Sequence, residues 1–127
     1  MITIYFDTET TGLNPHTDRV VLFQYRINDG PTKLIQNPDP AECHRLLDSA
    51  DLIVAHNTPF DFGMLGYIPK SIDHFDDTLY LDRIAHYTAD KHSLDVVAAR
   101  VFGRDLYDGL DKKALQKTKW DVAELTP

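Results

Sequence analysis

Asp7 and Glu9 stand two residues apart in IYFDTETTGLNP, residues 4–15. Residues i and i+2 of a β-strand project from one face, about 6.6 Å apart along the strand axis. Two carboxylates so placed can share a cluster of divalent ions, and hard oxygen donors of this kind suit Mg²⁺ or Mn²⁺. A carboxylate in a strand interior is otherwise costly unless water or a lysine compensates it. The competing reading is an edge strand with an acidic solvent-facing side. Against it, Tyr5 and Phe6 lead into the pair and the strand falls centrally in the element order. Asp-x-Glu alone is a common tripeptide and does not decide between the two.

A second carboxylate stretch, LIVAHNTPFDFGML at residues 52–65, bears on the first. Asp61 falls about one turn into a helix that follows directly on an apolar strand. Thr58-x-x-Asp61 also fits a capping box, in which Asp61 serves only its own helix. That reading explains Thr58 and Asp61 but gives no reason for Asn57 or for the apolar wall of Phe60 and Phe62. A strand–turn–helix unit presents Asp61 at a strand's carboxyl end, where sites in open sheets lie.

The elements that must position these residues can be read along the chain. TIYFDTE is a β-branched and aromatic strand closed by the turn residues of TGLNPHTD. RVVLFQYRI and PTKLIQ follow as two strands joined by Asn28-Asp29-Gly30, a hairpin signal. DPAECHRLLDSA places Ala41, His44, Leu46 and Leu47 at helical spacing, and DLIVAH has the continuous apolar run of a central strand. The next helix is expected to have Thr58 as N-cap, Pro59 at its first position and Gly66 near its end. TLYLDRIAHYTA, capped by Asp77, and SLDVVAARVFG, between Ser93 and Gly103, read as helices. DKKALQKTKW reads as a last amphipathic segment. The expected fold is α/β, with a mixed central sheet whose first strand pairs are antiparallel and whose later strand returns through a helix.

The 127 residues suffice for one domain, spanning 1–127, with an ordinary globular composition of 43% hydrophobic and 26% charged residues. No apolar run approaches a membrane span and no signal-peptide pattern opens the chain, so no membrane role is expected. Cys43 is the single cysteine, with no second thiol to complete a disulfide or zinc site; a structural thiol in a reducing, cytoplasmic setting is expected. The net charge of −7 gives a poor long-range field for capturing a polyanion, so any phosphate must be held locally. Lys112, Lys113, Lys117 and Lys119 form either a solvated helix face or a small phosphate-contacting patch.

Taken together, FDTETTGL and HNTPFDFGML closely resemble the first and second motifs of the DEDD 3′–5′ exonucleases, which have the ribonuclease H-like fold. The first is Asp-x-Glu after an apolar strand; the second is Asn-x-x-x-Phe/Tyr-Asp, matched by Asn57, Phe60 and Asp61. DDTLYLDRIAHYTADKHSLDVVAARVFG is similar to paired helices in the proofreading domains of family A DNA polymerases and in ribonuclease D. TKWDVAELTP resembles the segment leading to the third motif. The resemblance implies a two-metal hydrolysis of terminal phosphodiesters, with Mg²⁺ or Mn²⁺ as cofactor and a nucleoside 5′-monophosphate released at each step. Asp7 would bridge both ions, Glu9 would bind the first and Asp61 would complete the cluster around the second. Thr8, Thr11 and Leu13 would line the terminal nucleotide's pocket, with Asn57 and Phe60 beside the preceding one. For Leu13 and Phe60, ordinary core packing is an equal alternative.

The family's fourth acidic residue, the Asp of Tyr-x-x-x-Asp or His-x-x-x-x-Asp, is not matched. His86-x-x-x-Asp90 is one residue short, and His92-x-x-Asp95 is shorter still and falls in the wrong helix. The expectation is a domain that ends before its last catalytic helix and is weakly active or inactive alone. Either a polymerase or a second polypeptide would supply the missing motif, or the chain is a shortened form of a longer enzyme. The expected partner is a single-stranded 3′ end of DNA. The alternatives are an exoribonuclease resembling ribonuclease D and a non-catalytic module that binds nucleic acid through the cleft or the lysine patch.

Overall fold

The computed structural model describes residues 1–103, which form five strands and four helices. The strands are β1 (Thr3–Thr10), β2 (Val20–Ile27), β3 (Lys33–Gln36), β4 (Leu52–Ala55) and β5 (Phe75–Asp77). The helices are α1 (Pro40–Asp48), α2 (Thr58–Leu65), α3 (Thr78–Ala85) and α4 (Leu94–Phe102). The sheet order is β3-β2-β1-β4-β5. β1 runs antiparallel to β2 and parallel to β4, so the sheet is mixed as its sequence pattern predicts. The segments DKKALQKTKW and TKWDVAELTP, with the four-lysine patch, lie outside the described residues.

β1 is central because its alternation serves two faces. Ile4 and Phe6 point into the core, where the Phe6 ring stacks on Phe23 at 5.4 Å and on Phe62 at 6.0 Å. Leu47 and Cys43 of α1 and Phe62 and Leu65 of α2 close that side. Cys43 is buried in this core, and burial, with the nearby charges of Glu42 and Asp39, pushes its thiol up to about 11. Such a thiol is inert packing. Among the described residues no helix is long and apolar enough to cross a membrane.

Two features depart from expectation. β5 is a strand of three residues, Phe-Asp-Asp, with none of the β-branched pattern that marks a strand. It exists because β4 offers its open edge: Ile53 pairs with Phe75 and Ala55 with Asp77. The second departure is the start of α2. Thr58 is its first helical residue, and the cap position falls one earlier, on Asn57, which is left-handed at φ 69° and makes no side-chain cap bond. Gly66 closes the helix at φ 65°, in the backbone region glycine enters without strain.

The missing cap comes from Asp77. Its Oδ1 accepts the Asn57 amide at 2.9 Å and the Leu79 amide at 2.9 Å. Its Oδ2 accepts the Thr58 amide at 2.9 Å and the Thr58 hydroxyl at 3.0 Å. One carboxylate thus caps the starts of α2 and α3 together. Burial would raise this carboxyl, but those bonds outweigh it and hold Asp77 below the usual aspartate value. A carboxyl depressed by folding contributes stability above its unfolded value, and that contribution fades as pH falls through its folded value. Asp77→Ala is expected to cost about 2–3 kcal/mol at neutral pH. In urea unfolding across a pH series, the difference from wild type should shrink below about pH 4. A cost independent of pH would show that the charge of Asp77 is not the anchor.

Candidate functional site

β4 pairs with β1 only across Thr3, Ile4 and Tyr5, which leaves the carboxyl half of β1 uncovered on that side. The chain leaving β4 turns through His56 and Asn57 and enters α2 beside this uncovered half. The turn carries Asp61, at 2% exposure, against Thr8, whose hydroxyl donates to its Oδ1. The capping box between Thr58 and Asp61 does not form, because Thr58 is bonded to Asp77 and Asp61 to Thr8.

Asp7, Thr8 and Glu9 line one cleft with Asn57, Phe60 and Asp61. The same cleft is lined by Leu79 and Arg83 of α3, and by Asp90, His92, Ser93 and Leu94 ahead of and opening α4. A smaller pocket continues it past Thr8, Glu9 and Phe60 to Thr10, Thr11, Gly12 and Leu13. All eight residues singled out from the sequence therefore line one continuous depression, with Phe60 on the divide. Leu13 is 82% exposed at its far end, so it is not core packing; Phe60 is half-buried.

The loop bearing Leu13 is organised by a residue the motifs do not flag. Asp18 accepts the Thr11 hydroxyl at 3.0 Å and the Asn14 amide at 3.0 Å. Its carboxylate lies over Gly12 so closely that a Cβ there would meet Asp18 Oδ2 at 2.4 Å. A side chain at position 12 would have to push that carboxylate off its bonds to Thr11 and Asn14. On the other wall, Asp82 is buried and bonds His92 Nδ1 at 2.6 Å and Arg100 at 2.6 Å. The bond from His92 and then the Arg100 guanidinium hold its carboxyl below the usual aspartate value. His56 Nε2 donates to the His92 carbonyl at 2.6 Å, tying the turn after β4 to the start of α4. These long-range partners leave no spacing signature in the sequence.

Electrostatically the cleft is strained around Asp61. Burial, helped by the charges of Asp7 and Asp77 and opposed by the Thr8 bond, pushes its carboxyl up to about 7. A buried aspartate facing a second aspartate is relieved either by a proton or by a cation. The donor set of Asp7, Glu9 and Asp61, all carboxylate oxygens, fits a hard divalent cation in type and in placement on one cleft. Among the described residues, no three His, Cys, Asp or Glu side chains already enclose such an ion.

A family model described as 3′–5′ exonuclease matches residues 1–126. No curated protein sequence matches the chain. Among solved structures, one described as the apo form of a nuclease is 27% identical over 98% of this chain and 61% of its own, with a TM-score of 0.70. NrnC of Brucella melitensis bound to pGG is 26% identical over 82% of this chain and 54% of its own, with a TM-score of 0.67. The exonuclease domain of Nibbler from Aedes aegypti, 16% identical over 94% of this chain and 65% of its own, shares the fold at a TM-score of 0.67. The fold is thus ribonuclease H-like. The chain spans less than two thirds of each of these three relatives.

The coupling of Thr8 to Asp61 is open to a double-mutant cycle. Thr8→Val keeps the side chain's shape and removes the donor, and should cost about 1–2 kcal/mol at pH 8, where Asp61 is charged. In an Asp61→Asn background, urea unfolding should find most of that cost gone. Additive losses would mean that the two side chains do not act together.

Proposed function

The chain belongs to the 3′–5′ exonuclease family whose model it matches, and from that premise we propose that it forms the catalytic cleft of a metal-dependent exonuclease of the DNA-proofreading type. The observation that carries this reading is the convergence of Asp7, Glu9 and Asp61 on one cleft from a strand and a separate helix. Asp7 and Glu9, from the uncovered half of β1, would hold divalent cations together with Asp61. When bound, a pair of such ions lowers the pKa of the attacking water and stabilises charge on the leaving 3′-oxygen. Thr8 keeps Asp61 turned toward Asp7 by its hydrogen bond. The pocket of Thr8, Thr11 and Leu13 takes the terminal nucleotide, its loop held in shape by Asp18. Asn57 and Phe60 flank the nucleotide before it, where the Phe60 ring can stack on a base for about 1–3 kcal/mol. The product is a nucleoside 5′-monophosphate.

The 127 residues carry three of the family's four carboxylates, so slow turnover is proposed for the chain by itself. A 3′-labelled single strand incubated with the chain and Mn²⁺ or Mg²⁺ should release labelled mononucleotide slowly. Asp7→Ala should abolish that release and also the rise in melting temperature that Mn²⁺ causes in the wild type. Neither metal-dependent release nor a metal-dependent melting shift in the wild type would overturn the proposal.

A second reading, an exoribonuclease, draws on the likeness to the NrnC structure that holds pGG, a nucleic acid. Competition between matched DNA and RNA strands separates the two.

A further inference from the structure

We propose that Arg83 is a substrate contact of this cleft, its guanidinium taking the phosphate on the 5′ side of the nucleotide held between Asn57 and Phe60. The inference rests on the exonuclease reading for the direction in which the strand lies. Arg83, from α3, shares the cleft with Asp7, Glu9, Asp61, Asn57 and Phe60. It is absent from the pocket that continues to Leu13. A strand with its 3′-terminal nucleotide beside Leu13 and the next beside Phe60 therefore presents its following phosphate to the Arg83 wall.

The helix that carries Arg83 cannot turn it elsewhere. Asp77 pins the start of α3 through the Leu79 amide, and Leu79, one turn before Arg83 on the same face, also lines the cleft. Asp82, the adjacent residue, is locked on the buried side by His92 and Arg100. Rotating α3 would break both sets of bonds. Arg83 is thus aimed by its neighbours.

Its chemistry is also uncommitted. Arg100 is paired with Asp82 and Arg26 with Asp29, whereas Arg83 makes no hydrogen bond or ion pair with the described residues. Asp90 lines the same cleft and does not pair with it. In a chain of net charge −7 a polyanion needs a local cation, and among the described residues lining this cleft Arg83 is the one guanidinium. Its planar fork of donors suits two oxygens of one phosphate. The bland alternative is an exposed arginine solvated by water, which predicts no dependence on any particular phosphate.

The test is fluorescence anisotropy with 5′-labelled oligothymidylate and oligouridylate in Ca²⁺, each made with natural linkages and with a neutral methylphosphonate at the second linkage from the 3′ end. Arg83→Gln should weaken binding of the natural strands about tenfold and reduce the salt slope of log K by close to one phosphate's worth. On the methylphosphonate strands the variant and the wild type should bind alike. Arg83→Lys should recover part of the loss, and the melting temperature of Arg83→Gln should equal that of wild type. An unchanged affinity in Arg83→Gln, or an equal loss on both kinds of strand, overturns the assignment. Release of mononucleotide is read in parallel with Mn²⁺. Arg83-dependent binding with neither release nor a Mn²⁺-dependent melting shift in the wild type would sink the exonuclease reading while keeping the phosphate contact.

Discussion

The carboxylate of Asp77 is the constraint on which the cleft depends. It sits at the end of β5, and through four accepted hydrogen bonds it holds the starts of α2 and α3 at once. α2 brings Asp61 to β1, and Leu79 and Arg83 of α3 line the same cleft, so one side chain fixes the starts of both helices that shape it. The anchor is also electrostatically sound, because orphan amides at two helix starts stabilise a negative charge. Without it, Asn57 would hold a left-handed backbone with nothing to compensate, and α2 would have no cap at all.

A stable anchor of this kind lets the neighbouring site be unstable. Asp61 is buried against Asp7, with Thr8 as its hydrogen-bond donor, an arrangement that favours a proton or a cation over an isolated charge. Fold stability comes instead from the stacking of Phe23 of β2 and Phe62 of α2 on Phe6, which the carboxylate-bearing strand carries on its core face. Alternation along β1 sends Ile4 and Phe6 to the core and Asp7 and Glu9 to the other face, where they line the cleft. A one-residue slip of β1 would exchange them, which is why seven register pairs with β2 matter to function as well as to packing.

Much of this was legible in the sequence. The placement of Asp7, Glu9 and Asp61 along one cleft was legible because strand alternation and a strand–turn–helix junction are local patterns, and the resemblance to the exonuclease motifs rests on those same residues. The long strands, α1 and the caps at Asp77 and Gly66 were likewise local. What escaped detection is made by contacts distant in the chain. β5 has too few residues and too little β-propensity to announce itself, and exists through pairing with β4. Asp18 supports the Leu13 loop from across a turn, and the bonds joining Asp82 to His92 and Arg100 link residues ten and eighteen apart. No periodicity records such partnerships.

The start of α2 shows how a local rule fails usefully. Thr58 and Asp61 have the spacing of a capping box, and an isolated peptide of that sequence has every reason to form one. In the fold, both side chains are drawn away, Thr58 to Asp77 and Asp61 to Thr8. The helix loses nothing, because Asp77 supplies the cap from another strand. Asp61 is thereby released from a structural duty and turned into the cleft beside Asp7. A helix that capped itself would have kept that carboxylate at its own amino terminus. Importing the cap is what lets Asp61 join Asp7 and Glu9 in lining the cleft.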